Sequence, residues 1–291
     1  MARNVSELFR DLEDEDFRVL NSVERGMEHN EWVPRTEIPK LARMAKEEVD
    51  YRIGRLNDFE MLERQTIQYE GYKLQSRGYD ALALNALVKR DSVTAMGAKV
   101  EVGKESDIYK CKKDDEEVIL KLHREGYTNF REVDKHRSYT SDKHHLSWMY
   151  TARKAAETEY ENLQELYPDV SVPRPIDQSR HAIVMELFEG IELSRADIDE
   201  PTVVLDAVVR EMKKAWDAGF VHSDMSEYNV LVSENEIKLI DWPQSVGTDH
   251  PHARELLDRD VSNILSYFER KYPHSKDEFP THDEVVGQIL G

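Results

Sequence analysis

The stretch that decides the fold is VHSDMSEYNVLV, residues 221–232, which is followed by a second apolar run that ends at Asp241. His222, Asp224 and Asn229 have the spacing H-x-D-x-x-x-x-N. These residues could be simple turn formers in a strand–turn–strand unit, and a single histidine is more often packed than catalytic. Alternatively, the aspartate accepts a hydroxyl proton while the asparagine five residues later binds Mg²⁺. Asp241 would supply a second hard oxygen ligand for that ion.

A lysine in an apolar strand is the next candidate. In EEVILKLHR, Lys121 lies between Leu120 and Leu122 and shares a face with His123. It is either an exposed-face residue or a cation aimed at an anion in a cleft. A kinase-type lysine needs a carboxylate partner on a nearby helix.

The helix predicted over residues 147–167 offers two carboxylates, Glu157 and Glu159. At about 100° per residue, Glu159 lies in the middle of an apolar stripe and Glu157 points the opposite way. The stripe consists of Ala152, Ala155, Leu163 and Leu166. A carboxylate on such a stripe is costly unless it is paired, so we predict Glu159 as the partner.

A Gly-x-x-Ser turn in VEVGKESDIYK, from Gly103 to Ser106, completes the set. Phosphate is bound by backbone N–H groups and a small hydroxyl in such turns. Taken alone, an ordinary hairpin is the better interpretation. The ordered set of turn, lysine, glutamate, catalytic-loop aspartate and asparagine, and final aspartate predicts a phosphotransferase.

The first 90 residues have a different organisation. Helical spacing is predicted within residues 15–30, in two short helices of residues 35–62 that break near Ala45, and in residues 78–91. A β-rich stretch with Gly71 at its middle predicts a hairpin. This order is typical of a winged helix-turn-helix, and a helical bundle with one ribbon is the alternative. From Val93 a small sheet comes first and helices follow, which indicates a bilobal domain.

Composition limits the remaining function classes. Cys111 is the only cysteine, so disulfide frameworks and Cys-rich zinc sites are excluded. The N-terminus lacks the apolar core of a signal peptide, and no run of about 18 apolar residues suggests a membrane span; we expect a cytoplasmic protein without membrane contact. The net charge is −19, which argues against general nucleic-acid binding. Residues 1–90 hold 15 basic and 18 acidic residues, so most of the excess acid lies further along, and a high-salt cytoplasm would be one source of it.

The sequence resembles the second subfamily of the RIO family of atypical serine/threonine kinases over nearly its whole length. GKESDIY, ILKLHREG, MELFEGIEL, HSDMSEYNVLV and IDWPQ resemble that family's phosphate loop, lysine strand, hinge, catalytic loop and metal loop. Met225 and Trp242 stand where leucine and phenylalanine are expected. The implied fold is α+β, with a winged helix-turn-helix domain at 1–90 and a bilobal protein-kinase-like RIO domain at 91–291. The implied N-lobe covers about 91–187 and the C-lobe about 188–291.

The resemblance also implies the site residues. Asp224, Asp241, Lys121 and Asn229 are the implied catalytic residues, and Asn229 and Asp241 the implied metal ligands. The implied nucleotide-binding residues are Gly103, Lys104, Ser106, Lys121, Glu159, Met185, Glu186, Phe188 and Ile191. The implied cofactors are ATP and Mg²⁺, with Mn²⁺ as an alternative ion.

The function implied by this resemblance is a mainly ATP-hydrolysing switch in small ribosomal subunit maturation, with autophosphorylation and a transient phosphate on Asp241. The metal loop leads into a helix without an Ala-Pro-Glu motif, so peptide docking is not expected. One alternative is a nucleotide-sensing winged-helix transcription regulator with a degenerate kinase fold, but the intact catalytic set favours an enzyme. Another, a small-molecule kinase, would not explain the leading winged helix.

Two further predictions concern contacts and modification. Residues 35–90 are expected to contact precursor ribosomal RNA or assembly factors, through Lys46, Arg52, Arg55, Lys73 and Arg77. The polar tract 124–145 is expected to be a mobile loop that is autophosphorylated, because hydroxyls lie beside basic residues there. Its expected acceptors are Ser138, Thr140 and Ser141.

Overall fold

The computed structural model describes residues 5–102, 106–124, 147–234 and 236–291. The expected phosphorylation sites Ser138, Thr140 and Ser141 lie outside the described residues, as do Gly103 and Lys104. The chain divides into two compact units. The first comprises Met1–Ala156 with Asp177–Val184, and the second comprises Glu157–Ile176 with Met185–Gly291.

The N-terminal part of the first unit has the predicted order of helices followed by a hairpin. Its elements are α1 (Val5–Phe9), α2 (Asp14–Gly26), β1 (Val33–Pro34), α3 (Ile38–Ala42), α4 (Lys46–Asp58), β2 (Leu62–Gln65), β3 (Gly71–Leu74) and α5 (Ser76–Lys89). The three strands form one sheet in the order β1-β3-β2. This is a winged helix-turn-helix arrangement, with α4 in the position of the recognition helix and β2–β3 as the wing.

The helix α2 shows why this segment folds. Glu13 and Asp16 form a capping box at its start, which satisfies backbone N–H groups that a helix otherwise leaves without partners. Leu20 and Val23 on its apolar face are fully buried. These side chains join a single hydrophobic core with residues of α4, the wing and α5.

The position of Gly71 differs from the prediction. The glycine was expected at the middle of the hairpin, but it is the first residue of β3 and the connection is residues 66–70. A Cβ atom at this position would lie 2.9 Å from the Tyr69 ring and 3.0 Å from Trp32 Cβ. The glycine is therefore required by close packing at the base of the wing.

A five-stranded sheet follows the winged helix. Its strands are β4 (Ala95–Val102), β5 (Ser106–Lys113), β6 (Glu116–His123), β7 (Pro175–Ser179) and β8 (Ala182–Glu186), in the order β4-β5-β6-β8-β7. The β5–β6 register places Ser106 opposite His123 and Ile108 opposite Lys121. The helix α6 (Ser147–Leu166) lies between β6 and β7 in the chain.

The second unit contains short strands and helices. Its elements after β8 are β9 (Ile191–Glu192), α7 (Pro201–Asp217), β10 (Phe220–Val221), β11 (Val230–Val232), β12 (Ile237–Leu239), β13 (Val246–Gly247), α8 (Ala253–Lys271), a 3₁₀ segment (Pro273–Glu278) and α9 (His282–Leu290). One sheet has the order β12-β11-β9, and β10 pairs with β13. As predicted, Pro201 begins α7, and Gly219 follows it at a φ of 93°, a conformation that favours glycine.

Across these described ranges, no helix combines the length and the apolar character needed to cross a bilayer.

Candidate active site

Asn229 and Asp241 lie at the same end of the β11–β12 hairpin. Val230 is opposite Leu239, and the N–H of Ile240 donates a hydrogen bond of 3.0 Å to the Asn229 carbonyl. Asn229 immediately precedes β11, and Asp241 immediately follows Ile240. The hairpin thus brings Asn229 and Asp241, which flank its two strands, to the same end.

His222 connects the loop after β10 to the same hairpin end. Its Nε2 lies 2.9 Å from the Ile240 carbonyl, and its Nδ1 lies 3.3 Å from the Asp224 N–H. The neutral tautomer that carries its proton on Nε2 satisfies both contacts. The ring is buried with its centroid 4.5 Å from the Trp242 ring. His222 therefore orients the loop instead of facing solvent.

The side chains of the loop after His222 present oxygen atoms. Asp224 is exposed and Asp241 is half-buried. Asn229 donates from Nδ2 to the Asp224 carbonyl at 2.8 Å, so its Oδ1 is the atom available to a cation. A carboxylate and an amide oxygen at one hairpin end fit Mg²⁺, which completes its coordination with waters and phosphate oxygens.

In the first unit, the predicted lysine and the end of the phosphate turn share one face of the sheet. Residues directly opposite in an antiparallel pair have side chains on the same face. The register therefore places Ser106, Ile108, Lys121 and His123 together. Lys121 is buried, at 8% exposed, so the interpretation of an ordinary exposed-face lysine is wrong.

Glu159 has the burial expected from its position on the helical stripe. It is 1% exposed on α6, while Glu157 is half-buried. Ala152, Leu163 and Leu166 of the stripe are fully buried, and Ala155 is half-buried. A carboxylate at this depth needs a compensating partner, which supports the choice of Glu159 over Glu157.

Comparison with known proteins supplies the family. The chain matches the family model of the RIO domain over residues 107–280 and that of the Rio2 N-terminal domain over residues 9–90. The chain belongs to the RIO kinase family. It is 44% identical over 271 residues to the RIO-type serine/threonine-protein kinase Rio2 of Methanocaldococcus jannaschii, an alignment that covers 90% of this chain and 99% of the relative.

Further similarity to Rio2 kinases extends to eukaryotes and to solved structures. The chain is 37% identical over 281 residues to the serine/threonine-protein kinase rio2 of Schizosaccharomyces pombe, which covers 95% of this chain and 81% of the relative. It superimposes with a TM-score of 0.86 and 32% identity on a crystal structure of the Rio2 kinase–ADP/Mg²⁺–phosphoaspartate complex from Chaetomium thermophilum, covering 98% of this chain and 89% of that one. The prediction of a winged helix followed by a bilobal kinase-like RIO domain, in a serine/threonine protein kinase, is confirmed.

In the segment predicted to be the hinge, the side chains bond to other residues of the protein. Glu186 accepts a hydrogen bond from the Arg174 N–H at 3.0 Å, and its other carboxylate oxygen lies 3.6 Å from Lys238 Nζ. Met185 is buried, while Ile191 in β9 is exposed. The Lys238 ammonium also lies 5.6 Å from the centre of the Phe188 ring. The carboxylate of Glu186 therefore binds groups of the protein itself, and a nucleotide at this segment would be bound by backbone groups.

Asp260 in α8 is a site residue that the sequence analysis missed. Its carboxylate accepts hydrogen bonds from the N–H groups of Ser223 at 2.7 Å and Met225 at 3.0 Å. Burial raises the pKa of this carboxyl, against the lowering effects of His222, the two N–H groups and Arg259. Asp260 thus fixes the backbone on both sides of Asp224. An aspartate in a helix 36 residues from the loop gives no local signal of this role.

We expect Asp260→Asn to lower both stability and turnover. The oxygen of an asparagine amide can accept a hydrogen bond from one of the two backbone N–H groups. The amide NH₂ group then faces the other N–H without an acceptor, which costs about 1–3 kcal/mol in unfolding free energy. Urea unfolding and ATP turnover would be measured. Asn263→Ala is the matched control, because Asn263 donates one neutral bond of 3.1 Å to the Met225 carbonyl from the same helix. Wild-type ATP turnover in Asp260→Asn would show that Asp260 is not needed to fix the loop around Asp224.

The second correction concerns the cations of the winged helix. All five cations that are expected to contact ribosomal RNA or assembly factors bind carboxylates of the same domain. The N–O distances are 2.8 Å for Lys46–Asp50, 2.9 Å for Arg52–Glu13, 2.8 Å for Arg55–Glu13, 3.2 Å for Lys73–Glu63 and 2.5 Å for Arg77–Glu60. The Arg52 side chain is only 9% exposed and also lies 2.6 Å from Glu48. The prediction that Arg52 is a contact residue is wrong, because its charge is used to join α4 to the start of α2.

We expect Arg52→Met to destabilise the winged helix instead of probing a nucleic-acid contact. Removing a largely buried guanidinium should cost about 2–3 kcal/mol, because its nearest partners Glu13 and Glu48 are partly solvated and the full buried-pair penalty does not apply. Lys46→Met is the control, since its side chain is 67% exposed, and its loss should stay within about 0.5 kcal/mol. Urea unfolding curves compare the two. Equal stability of both variants would contradict the assignment.

Proposed function

We propose that this RIO kinase is a Mg-ATP-dependent phosphotransferase with ATPase activity, which acts in maturation of the small ribosomal subunit and passes through a phosphate on Asp241. The observation that carries the proposal is the hairpin end at which Asn229 and Asp241 meet, with Asp224 bonded to Asn229 through its carbonyl. A relative of known structure, at 32% identity, contains ADP, Mg²⁺ and a phosphoaspartate.

Different residues would bind the metal ion, the phosphates and the base of the nucleotide. Asn229 Oδ1 and the Asp241 carboxylate would hold Mg²⁺, which neutralises charge on the phosphates. Lys121, with Glu159 as its predicted partner, would bind the phosphates together with Ser106 and the turn that includes Gly103 and Lys104. Backbone groups from Met185 to Phe188, with Ile191, would contact the base.

The γ-phosphate would be transferred to Asp241 of the protein, so the step needs no separate acceptor molecule. An oxygen of Asp241 would attack the γ-phosphorus, and the bond between that phosphorus and the bridging oxygen would break to release ADP. Asp224 would then take a proton from water as the water attacks the acyl phosphate. The carboxylate is restored and inorganic phosphate leaves. Only residues 242–252 separate Asp241 from α8, which leaves little chain for docking a peptide substrate and supports a hydrolytic cycle.

The winged helix would provide the contact to the small-subunit precursor in the cytoplasm, within a domain we propose to end near residue 90. Lys46 and Lys73 are suited to such a contact because each can leave its ion pair, with Asp50 and Glu63 respectively, to bind a partner molecule. Lys46 is exposed, and Lys73 lies 4.3 Å from the centre of the Trp32 ring. The set of Lys121, Asp224, Asn229 and Asp241 weighs against the alternative of a transcription regulator with a degenerate kinase fold, because such a regulator would not need these four residues.

The test is an assay with radiolabelled ATP and Mg²⁺, with and without small-subunit precursor particles. Released phosphate and labelled protein are followed together. We expect ATP hydrolysis, a label on the protein that hydroxylamine removes, and a change of rate with the particles. Absence of hydrolysis and of label at every Mg²⁺ concentration would overturn the enzymatic proposal, and an unchanged rate with bound particles would overturn the ribosomal one.

A further inference from the structure

A buried ionic cluster joins the winged helix to the strands that carry the predicted phosphate-binding residues. Arg124, directly after β6, donates from its two terminal nitrogens to both carboxylate oxygens of Asp80 in α5, at 2.7 and 2.8 Å. The same guanidinium lies 2.9–3.0 Å from Asp107 Oδ2 in β5. The Arg124 and Asp80 side chains are 11% and 7% exposed. One arginine therefore ties three elements together.

The cluster occupies the reverse face of β5 and β6. Side chains alternate along a strand, so Asp107 points away from the face of Ser106, and position 124 points away from the face of Lys121. The register pairs Asp107 with Leu122, which confirms that this face is the one opposite Lys121. Asp107 directly follows Ser106, and Arg124 follows Lys121 by three residues. A shift of the cluster would therefore move both phosphate-binding strands.

His181 is a further member of the cluster, as is Lys99, whose Nζ lies 2.6 Å from Asp107 Oδ1. The Nε2 of His181 lies 2.8 Å from Asp80 Oδ1, and its ring stacks on Tyr79 with centroids 4.6 Å apart. Burial lowers the pKa of His181 despite the carboxylate, so the neutral ring donates from Nε2. Burial alone would raise the pKa of Asp80, but Arg124 and the hydrogen bond from His181 hold it well below its usual range. Asp80 thus remains a carboxylate with a fixed orientation.

We propose that Asp80 and Arg124 are positioning residues for the nucleotide phosphates, so that the winged helix holds Ser106 and Lys121 in their binding geometry from behind the sheet. The inference rests on the proposed function, since it assumes that these two residues bind ATP. A bidentate guanidinium–carboxylate pair is directional, which suits it to setting the offset of two strands. The winged helix is then a structural part of the nucleotide site as well as a contact to a partner.

The experiment compares two carboxylates that each bind an arginine across the same domain junction. Asp80 binds Arg124 behind the phosphate-binding strands, whereas Glu24 of α2 binds Arg180 in the β7–β8 turn at 2.7 and 2.8 Å. The full-length variants Asp80→Asn and Glu24→Gln are tested for thermal unfolding and for binding of a fluorescent ATP analogue with Mg²⁺. Both should melt below the wild type.

We expect Asp80→Asn to weaken Mg-ATP binding by about tenfold to a hundredfold at a temperature where it is folded, as a displacement of about 1 Å at a phosphate site can do. Glu24→Gln should bind as the wild type does. Asp107→Asn provides the second variant if Asp80→Asn does not fold, because it leaves the Asp80–Arg124 pair intact, and it should also weaken binding. Unchanged affinity in a folded Asp80→Asn or in Asp107→Asn overturns the proposal. A wild type that does not bind Mg-ATP would instead refute the proposed function.

Discussion

Asp224→Ala is expected to leave Mg-ATP binding nearly intact while turnover falls by a factor of about 10²–10⁴, the range found for groups that transfer protons. The structure separates the two roles of this residue. Its backbone N–H and carbonyl bond to His222 and Asn229, and these contacts survive the substitution. Its carboxylate is exposed at the loop, where it can reach water or an acceptor hydroxyl.

The measurement is a pair of titrations, one of nucleotide binding and one of steady-state ATP hydrolysis. Asp199→Ala serves as the control, because Asp199 is another exposed aspartate of the second unit, in the segment before α7. It should match the wild type in both assays. A tenfold or larger loss of binding in Asp224→Ala, or a turnover close to the wild-type rate, would show that the proton-transfer role belongs to another group.

Asp241→Ala is expected to abolish both productive Mg-ATP binding and the labelled acyl phosphate. The carboxylate is the proposed ligand of Mg²⁺ and the proposed acceptor of phosphorus, so its removal eliminates both functions at once. The residue also has a φ of 70°, a left-handed conformation that asparagine and aspartate tolerate better than alanine. Some loss of stability in Asp241→Ala is therefore expected from the backbone alone, about 1–2 kcal/mol.

Asp241→Asn separates these effects. Asparagine tolerates the backbone conformation and keeps one oxygen for the metal ion, but its amide is not a nucleophile. We expect weakened Mg-ATP binding, normal stability and no hydroxylamine-labile label on the protein. Acid-stable label confined to serine, with Asp241→Asn still hydrolysing ATP at the full rate, would refute the phosphoaspartate scheme.

The local patterns of the sequence determined the elements and the order of the predicted site residues. Strand alternation placed Lys121 on the same face as His123, helical spacing selected Glu159 over Glu157, and helical spacing with Gly and Pro signals gave α2, α4 and α7 within a few residues. The positions of the elements and the burial of Glu159 agree with these patterns because side-chain direction repeats every two residues in a strand and every 3.6 in a helix. The pairing of Glu159 with Lys121 stays a prediction. The motif from Asp224 to Asn229 could be identified from the spacing of its residues alone.

Only the tertiary structure decided which charges are available and what holds the site. Helical spacing predicts the pair of Arg52 with Glu48, but the other partner of Arg52, Glu13, lies 39 residues away. Asp260 supports the catalytic loop from a helix, and Asp80 reaches Arg124 across 44 residues. No spacing rule covers such pairs, because the burial of a charge and the identity of its partner depend on how distant elements pack. The free energy of a charged side chain is set by that environment.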